Sequence, residues 1–237
     1  MTSERLIPSR QAQAALLAFI LASALCGGLV LVRAAYRQEF VFGAFLWNLF
    51  LAWVPVIAAV SAYALRARNA QPPLITTALW IVWFLFFPNA PYIITDLVHL
   101  HERPGVPFWY DLITIMAFAL TGLFLGYLSL YLMQEIVRSR FGRMTSWAFA
   151  LVMLGLSAFG IYLGRFLRWN SWDVLLSPID TLSNAARIAY LDPNPRVWAF
   201  SLTFFAFSLV CYLIVYSFTH LHAWVERAPV IRPPNAG

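Results

Sequence analysis

Long uncharged stretches dominate the pattern of hydrophobic and polar positions along this chain. Six such stretches occur, at residues 11–32, 40–65, 69–95, 112–134, 144–164 and 197–225. Each reaches about the 20 residues that a helix needs to cross the hydrocarbon core of a bilayer. The pattern therefore predicts an all-α fold, a polytopic transmembrane helical bundle of six spans.

The third stretch departs from a regular helix near its end. Its strongly apolar part, residues 74–87, gives about 21 Å of helix, which is short of a hydrocarbon core of about 30 Å. Pro88 and Pro91 follow, and a proline lacks a backbone donor and clashes with the preceding turn. We predict that the span is broken at these prolines, and that Asn89 hydrogen-bonds backbone freed there. The alternative is a kinked helix whose polar end reaches water, with Asp96 capping the next segment.

Composition agrees with a membrane protein. Of 237 residues, 62% are hydrophobic and only 11% are charged, whereas soluble domains are about 25% charged. This excludes an ordinary cytosolic enzyme and a disordered chain. The net charge is +6, and the positively charged residues are all arginines. These arginines flank the apolar stretches, where they anchor helices at phospholipid headgroups, so we expect no nucleic-acid partner.

The same pattern gives a domain organisation and an orientation. We expect a short cytoplasmic N-terminus over residues 1–10, a single transmembrane domain over 11–225 and a loose Pro-rich tail over 226–237. Nine arginines flank the side that holds both termini and seven flank the other, which favours cytoplasmic termini by the positive-inside rule. The long connection 165–196 mixes apolar and polar residues, which predicts amphipathic interfacial helices between spans five and six.

Candidate chemistry gathers at the outer ends of spans three to five. The side chains that form this set are Asn89, Asp96, His99, Asp111, Arg165, Arg168, Asn170, Trp172 and Asp173. In an extended helix, residues 165, 168, 169 and 172 share one stripe, and guanidinium groups beside indole rings suit a phosphate or carboxylate. Asp96 and His99 are candidate general bases for catalysis. The alternatives are arginines that pair with carboxylates to fix helix packing, and tryptophans that form an interfacial belt.

A metal site is a weaker hypothesis for the same region. Asp96, His99, His101 and Asp111 offer nitrogen and oxygen ligands that suit zinc or manganese. No HExxH motif or paired-cysteine spacing supports them. The sequence therefore assigns no metal and no cofactor.

Two motif blocks resemble a known family. They are residues 87–92 with 95–97, His99 and 109–111, and the later run 162–173. Together they resemble the DUF1361 family of bacterial polytopic membrane proteins, over most of the chain from the second span to the sixth. The resemblance implies a bacterial cytoplasmic (inner) membrane protein with these motifs as its hallmark, and it implies no reaction.

Three classes of function remain open. The first is a protein that binds or processes an anionic or lipid-linked molecule at the extracytoplasmic face. The second is a small-solute transporter, which a broken span favours. The third is a non-catalytic assembly subunit that packs through small residues such as Gly27 and Gly28. We favour the first class, with enzymatic activity and oligomeric state left open.

Overall fold

A computed structural model describes residues 10–69, 72–103, 105–169, 176–190 and 194–225. Within these residues the chain is helical apart from short connections, and no strand occurs. The two predicted terminal segments lie almost wholly outside the described residues. So do three predicted site residues, Asn170, Trp172 and Asp173.

The described helices follow one another with short connections. They are α1 (Arg10–Arg37), α2 (Gly43–Ala67), α3 (Pro73–Phe86), α4 (Asn89–Tyr92), a 3₁₀ helix (Ile93–His99), α5 (Phe108–Phe141), α6 (Arg143–Leu167), α7 (Pro178–Tyr190) and α8 (Pro195–Val225). Six segments of the described chain are long and apolar enough to cross a membrane, and α3, α4 and the 3₁₀ helix together make the third. The predicted six-span, all-α fold is confirmed, and the protein is a multi-pass membrane protein.

The third span breaks where the two prolines predict it. The helix α3 ends at Phe86, and α4 begins at Asn89. The backbone N–H of Ala90 donates to the carbonyl of Phe87 at 3.2 Å. In a regular α-helix this N–H would donate to the carbonyl of Phe86, so the Phe86 carbonyl loses that partner. The side-chain amide of Asn89 donates to this carbonyl at 3.3 Å. Asn89 thus satisfies backbone that the break exposes, as the sequence predicts.

The helix α5 forms the centre of the bundle. It contacts α1, α2, α4, the 3₁₀ helix, α6 and α8. Hydrogen bonds tie it to its neighbours: the Trp83 indole donates to the Ser129 hydroxyl at 3.2 Å, and the Tyr127 hydroxyl donates to the Ser208 carbonyl at 3.1 Å. Lipid tails are as apolar as leucine, so helices in a membrane associate through close packing and hydrogen bonds of this kind.

Two glycines of α5 let the broken segment approach closely. A Cβ atom on Gly122 would lie 2.7 Å from Cδ1 of Ile93 and 2.8 Å from the carbonyl oxygen of Ala90. A Cβ atom on Gly126 would lie 3.2 Å from both Ala90 Cβ and Pro91 Cδ. The two glycines are four residues apart and therefore share one face of the helix. The α5 helix thus presents a small-xxx-small surface to α4.

The helix α6 contacts the opposite side of the break with a similar pair. A Cβ atom on Gly160 would lie 3.5 Å from Cγ of Pro88, and one on Gly164 would lie 3.5 Å from the ring of Tyr92. These are ordinary van der Waals distances. The segment from Pro88 to Tyr92 is therefore packed between glycine pairs on α5 and α6, which keeps its irregular backbone covered by protein.

We predict that Gly122→Ala destabilises the bundle. The added methyl group overlaps the rigid carbonyl of Ala90, and overpacking of this kind costs about 1–3 kcal/mol. Thermal unfolding of the detergent-purified protein measures the loss. Gly28→Ala on α1 is the matched control, because nothing lies within 4 Å of a Cβ atom there. Equal melting temperatures for the two variants would show that α4 does not depend on close approach to α5.

Candidate functional site

Asp96 lies at the centre of one buried ion pair. Its side chain is on the 3₁₀ helix and is almost fully buried. One carboxylate oxygen accepts a hydrogen bond from the Asn48 amide at 2.9 Å, and the other accepts one from Arg165 at 3.1 Å. Asp96 therefore faces inward to α2 and α6, so the alternative in which it caps a water-exposed segment is wrong.

Arg165 joins Asp96 to His99. Its Nη1 atom also donates to the Tyr92 hydroxyl at 3.3 Å, and its Nη2 atom lies 3.0 Å from Nε2 of His99. Arginine has donors only, so Nε2 of His99 accepts and its ring proton is on Nδ1. In this arrangement the Nε2 atom of His99 and both oxygens of Asp96 already have partners.

Asp111 makes a second buried ion pair, with arginines that the sequence analysis had placed at headgroups. Arg33 Nε donates to Oδ1 at 2.8 Å and Nη2 to Oδ2 at 3.3 Å. Arg103 also donates to Oδ2, at 3.2 Å. The Arg33 and Asp111 side chains are each only 3% exposed, and the Arg33 contact is bidentate. Such geometry gives a strong charge-assisted interaction.

The two ion pairs are connected through the 3₁₀ helix. Arg103 donates to the backbone carbonyl of His99 at 3.3 Å, and the His99 ring contacts Arg165. The connected set of Asn48, Asp96, His99, Arg103, Asp111, Arg33 and Arg165 is called the polar cluster below. It contains three arginines and two aspartates, so its formal charge is +1 when His99 is neutral.

Phe42 supports the two arginines around Asp111. The guanidinium carbons of Arg33 and Arg103 lie 4.5 and 4.9 Å from the centroid of its ring. A cation over an aromatic face is attracted to the ring quadrupole. Phe42 itself is buried and stacks on Phe45 at 5.0 Å between ring centroids. The connection between α1 and α2 thus helps hold the second ion pair.

A cavity of about 990 Å³ lies beside the polar cluster. Segments of α2, α3, α4, α6, α7 and α8 line it, and most of the lining side chains are apolar. Asn48, Asn89 and Tyr92 belong to this wall. Asn48 is itself a member of the polar cluster, and Tyr92 contacts Arg165. On α7, Thr181, Leu182, Ala185 and Ala186 line it. These four positions lie on one face of that helix.

Arg168 is the one charged residue among the described residues that line the cavity. It follows the last residue of α6 and adopts the left-handed conformation, with φ of 58°. Its side chain is exposed and makes no ion pair or hydrogen bond with any described residue. A β-carbon in this conformation costs about 1–2 kcal/mol. Arg168 therefore has a strained backbone and a positive charge that no described residue compensates.

The structure brings some of the predicted site residues together and separates others. Asp96, His99, Asp111 and Arg165 belong to the polar cluster, and Asn89 lines the adjacent cavity. Arg168 lies at the cavity and outside the cluster. The helix that would align Arg165 with Arg168 and Trp169 in one stripe ends at Leu167, where Arg168 turns the chain, and Trp172 lies outside the described residues.

The four weak metal candidates do not form a ligand set in the described part of the chain. There, no three His, Cys, Asp or Glu side chains lie close enough to hold one ion. Asp96 and Asp111 are instead bound by arginines, and His101 is exposed.

Sequence reasoning missed Asn48, Arg33 and Arg103. Asn48 carried a usable signal, since a polar amide inside an apolar span usually hydrogen-bonds to another helix. Arg33 sits at the end of a span, where an arginine is typical of a headgroup anchor. Nothing in its position distinguishes that role from a buried ion pair with Asp111, which is 78 residues away.

These features define a class of multi-pass membrane protein in which a broken third span is covered by protein and flanked by buried ion pairs. The chain belongs to the family described as "Protein of unknown function (DUF1361)", whose model matches residues 47–211. The match includes both motif blocks, and therefore Asp96, His99, Asp111 and Arg165. No curated protein and no solved structure matches the chain.

We predict that Asp111→Leu strongly destabilises the protein. It leaves Arg33 buried without its carboxylate, and breaking a buried pair from one side costs about 3–5 kcal/mol. The double variant Arg33→Leu with Asp111→Leu should lose less stability than the two single variants lose in sum, because no buried charge is left without a partner. Thermal unfolding in detergent measures all three.

Arg138→Ala is the control for that cycle. Arg138 pairs with Glu135 at 2.9 Å, but its side chain is 46% exposed. Exposed pairs contribute about 0–1 kcal/mol. Strictly additive losses for Arg33 and Asp111 would contradict a coupled buried pair.

Proposed function

We propose that this protein binds an amphiphilic anion, with the apolar part in the cavity and the anionic head at Arg168. One observation carries the proposal: a strained, exposed arginine with no described partner lies at one end of a mostly apolar cavity. The same left-handed backbone occurs at Gln38 and Asn69, which follow α1 and α2, so the uncompensated charge beside the cavity distinguishes Arg168. A guanidinium group binds phosphate and carboxylate through paired hydrogen bonds.

The polar cluster has a supporting role in this proposal. Its carboxylates are already bound by arginines, and its single excess positive charge favours an anion nearby. Tyr92 and Asn48 belong to the cavity wall and also touch Arg165 and Asp96, respectively. The cluster thus fixes the wall against which the head lies. A general-base role for Asp96 or His99 remains a hypothesis. The binding of an anion does not require either residue to act as a base.

We further propose that the protein lies in the bacterial inner membrane with both termini in the cytoplasm. The arginine distribution supports this orientation. The polar cluster and Arg168 then face the extracytoplasmic side, where a lipid-linked anion of the outer leaflet has access to them.

A transporter is the second candidate function. Pro88 and Asn89 of the broken third span line the cavity, and discontinuous helices form substrate sites in many transporters. A transporter would move octadecyl phosphate between the leaflets of a proteoliposome, whereas a binding protein would retain it. A non-catalytic assembly subunit requires no small ligand at all.

We predict that Glu102→Cys is labelled from outside the cell. In a background without Cys26 and Cys211, a membrane-impermeant maleimide should label this exposed position in intact cells. Arg140→Cys, at the other end of α5, should be labelled only after lysis. The reverse result would place the polar cluster on the cytoplasmic side.

We predict that Arg168→Gly weakens binding and leaves stability nearly unchanged. Glycine relieves about 1–2 kcal/mol of left-handed strain, and its greater freedom in the unfolded chain costs about 0.4–1 kcal/mol. Binding of octadecyl phosphate in nanodiscs, measured by native mass spectrometry, should fall by about tenfold or more, as loss of a charge-assisted contact implies.

Arg140→Ala is the control for charge alone, since it removes one positive charge from an exposed position at the opposite end of α5. It should bind octadecyl phosphate as the unmodified protein does. Unchanged binding by Arg168→Gly would refute the proposed site.

A further inference from the structure

The cavity extends deep along α6, and its depth bears on the chemistry of the ligand. Its lining on this helix and the residue that follows it runs from Leu151 to Arg168, which corresponds to about 25 Å at 1.5 Å per residue. The helix itself runs from Arg143 to Leu167, so its midpoint is Gly155. The cavity thus starts at the polar end of the bundle and continues past the middle of the span.

Within the described part of the lining, charge is confined to one end of this cavity. Arg168 is at the end near the polar cluster, whereas Phe84, Leu151 and Phe205 line the deep end. The lining beyond Arg168 is mostly apolar, with the buried Ser157 and Ser201 hydroxyls among it, and a small hydrophilic anion would lose more hydration there than two hydroxyls return. The arrangement instead complements a molecule with one charged head and an extended apolar chain.

The helix α7 also lines this cavity. Its residues Ala185 and Ala186 line the cavity together with Leu182, and α7 follows α6 closely in the chain. The lining therefore includes α7 as well as the long helices, and a ligand held at Arg168 would lie in a cavity that both α6 and α7 line.

We infer that the ligand is a long-chain lipid oxyanion whose apolar chain lies along α6 and reaches beyond Gly155. This inference rests on the proposed function and adds the length of the chain to it. Phosphate and carboxylate heads share the chemistry that Arg168 recognises, and one-chain and two-chain lipids share the extended apolar part.

Gly155 provides a direct test of the depth. It lines the cavity about 20 Å along α6 from Arg168, and a Cβ atom on it would meet only Cδ2 of Phe205, at 3.9 Å. A larger side chain at this position therefore fills cavity space without an immediate clash. In Gly155→Leu, the deep end should be blocked while the space near Arg168 stays open.

The experiment compares octyl phosphate with octadecyl phosphate in nanodiscs, by native mass spectrometry of the full chain. An eight-carbon chain held at Arg168 does not reach Gly155, whereas an eighteen-carbon chain does. We expect Gly155→Leu to weaken the binding of octadecyl phosphate by about tenfold or more. The affinity for octyl phosphate should stay within about twofold of that of the unmodified protein. Membrane partition of each lipid is the same for both proteins, so it cancels in this comparison.

Three further arms complete the design. Gly28→Leu, on α1 and outside the cavity, is the matched control and should bind both probes normally. Octadecanoate and dioleoyl phosphatidic acid, each compared with octadecyl phosphate, identify the preferred head and the number of chains. If Gly155→Leu fails to fold, Val152→Trp fills the same end from the preceding turn and takes its place.

The outcomes separate this inference from the function on which it rests. If blocking the deep end changes the affinities for octyl and octadecyl phosphate equally, or changes neither affinity, the chain does not reach Gly155 and the inference is wrong. Dependence on Arg168 would then still support an anion site. If the unmodified protein binds none of the lipid probes, or if Arg168→Gly binds them unchanged, the proposed function itself fails.

Discussion

The need to cover irregular backbone inside a membrane is the constraint on which this structure depends. The prolines at positions 88 and 91 break the third span, and unsatisfied peptide groups in hydrocarbon each cost several kcal/mol. Asn89 satisfies one carbonyl directly, and the glycine pairs of α5 and α6 bring protein against both sides of the segment. The close approach requires small residues on α5, at Gly122 and Gly126, whereas the contacts at Gly160 and Gly164 of α6 have ordinary van der Waals distances.

The break also sets the position of the charges. Because the chain continues from α4 as a 3₁₀ helix, Asp96 points inward to Asn48 and Arg165 and not to water. A carboxylate buried at this depth persists only with partners. Arg165 supplies the charge, and it makes two further hydrogen-bond contacts, with the Tyr92 hydroxyl and with Nε2 of His99. One conformational feature, the interrupted span, thus places Asp96 in the polar cluster and Pro88, Asn89 and Tyr92 in the wall of the cavity.

Much of the fold follows from the sequence alone. Six apolar stretches and two prolines specify the spans and the break, because length, hydropathy and proline chemistry act locally. The partners within the polar cluster do not follow in this way. Asp111 was grouped with Arg165 and Arg168, yet it binds Arg33 and Arg103, since helix rotation and packing decide which charges meet. The left-handed backbone at Arg168 was also missed, because arginine has no preference for that conformation that would signal it.

The ion pair between Arg33 and Asp111 has a consequence for biosynthesis. The helix α1 contacts α2 and α5, and Arg33 lies near its C-terminal end. Membrane proteins are made from the N-terminus onward, so α1 enters the bilayer before Asp111 has been synthesised. Its guanidinium must stay hydrated at the membrane surface until the fourth span arrives. The first helix therefore docks late, and completion of α5 is the event that allows its arginine to leave water.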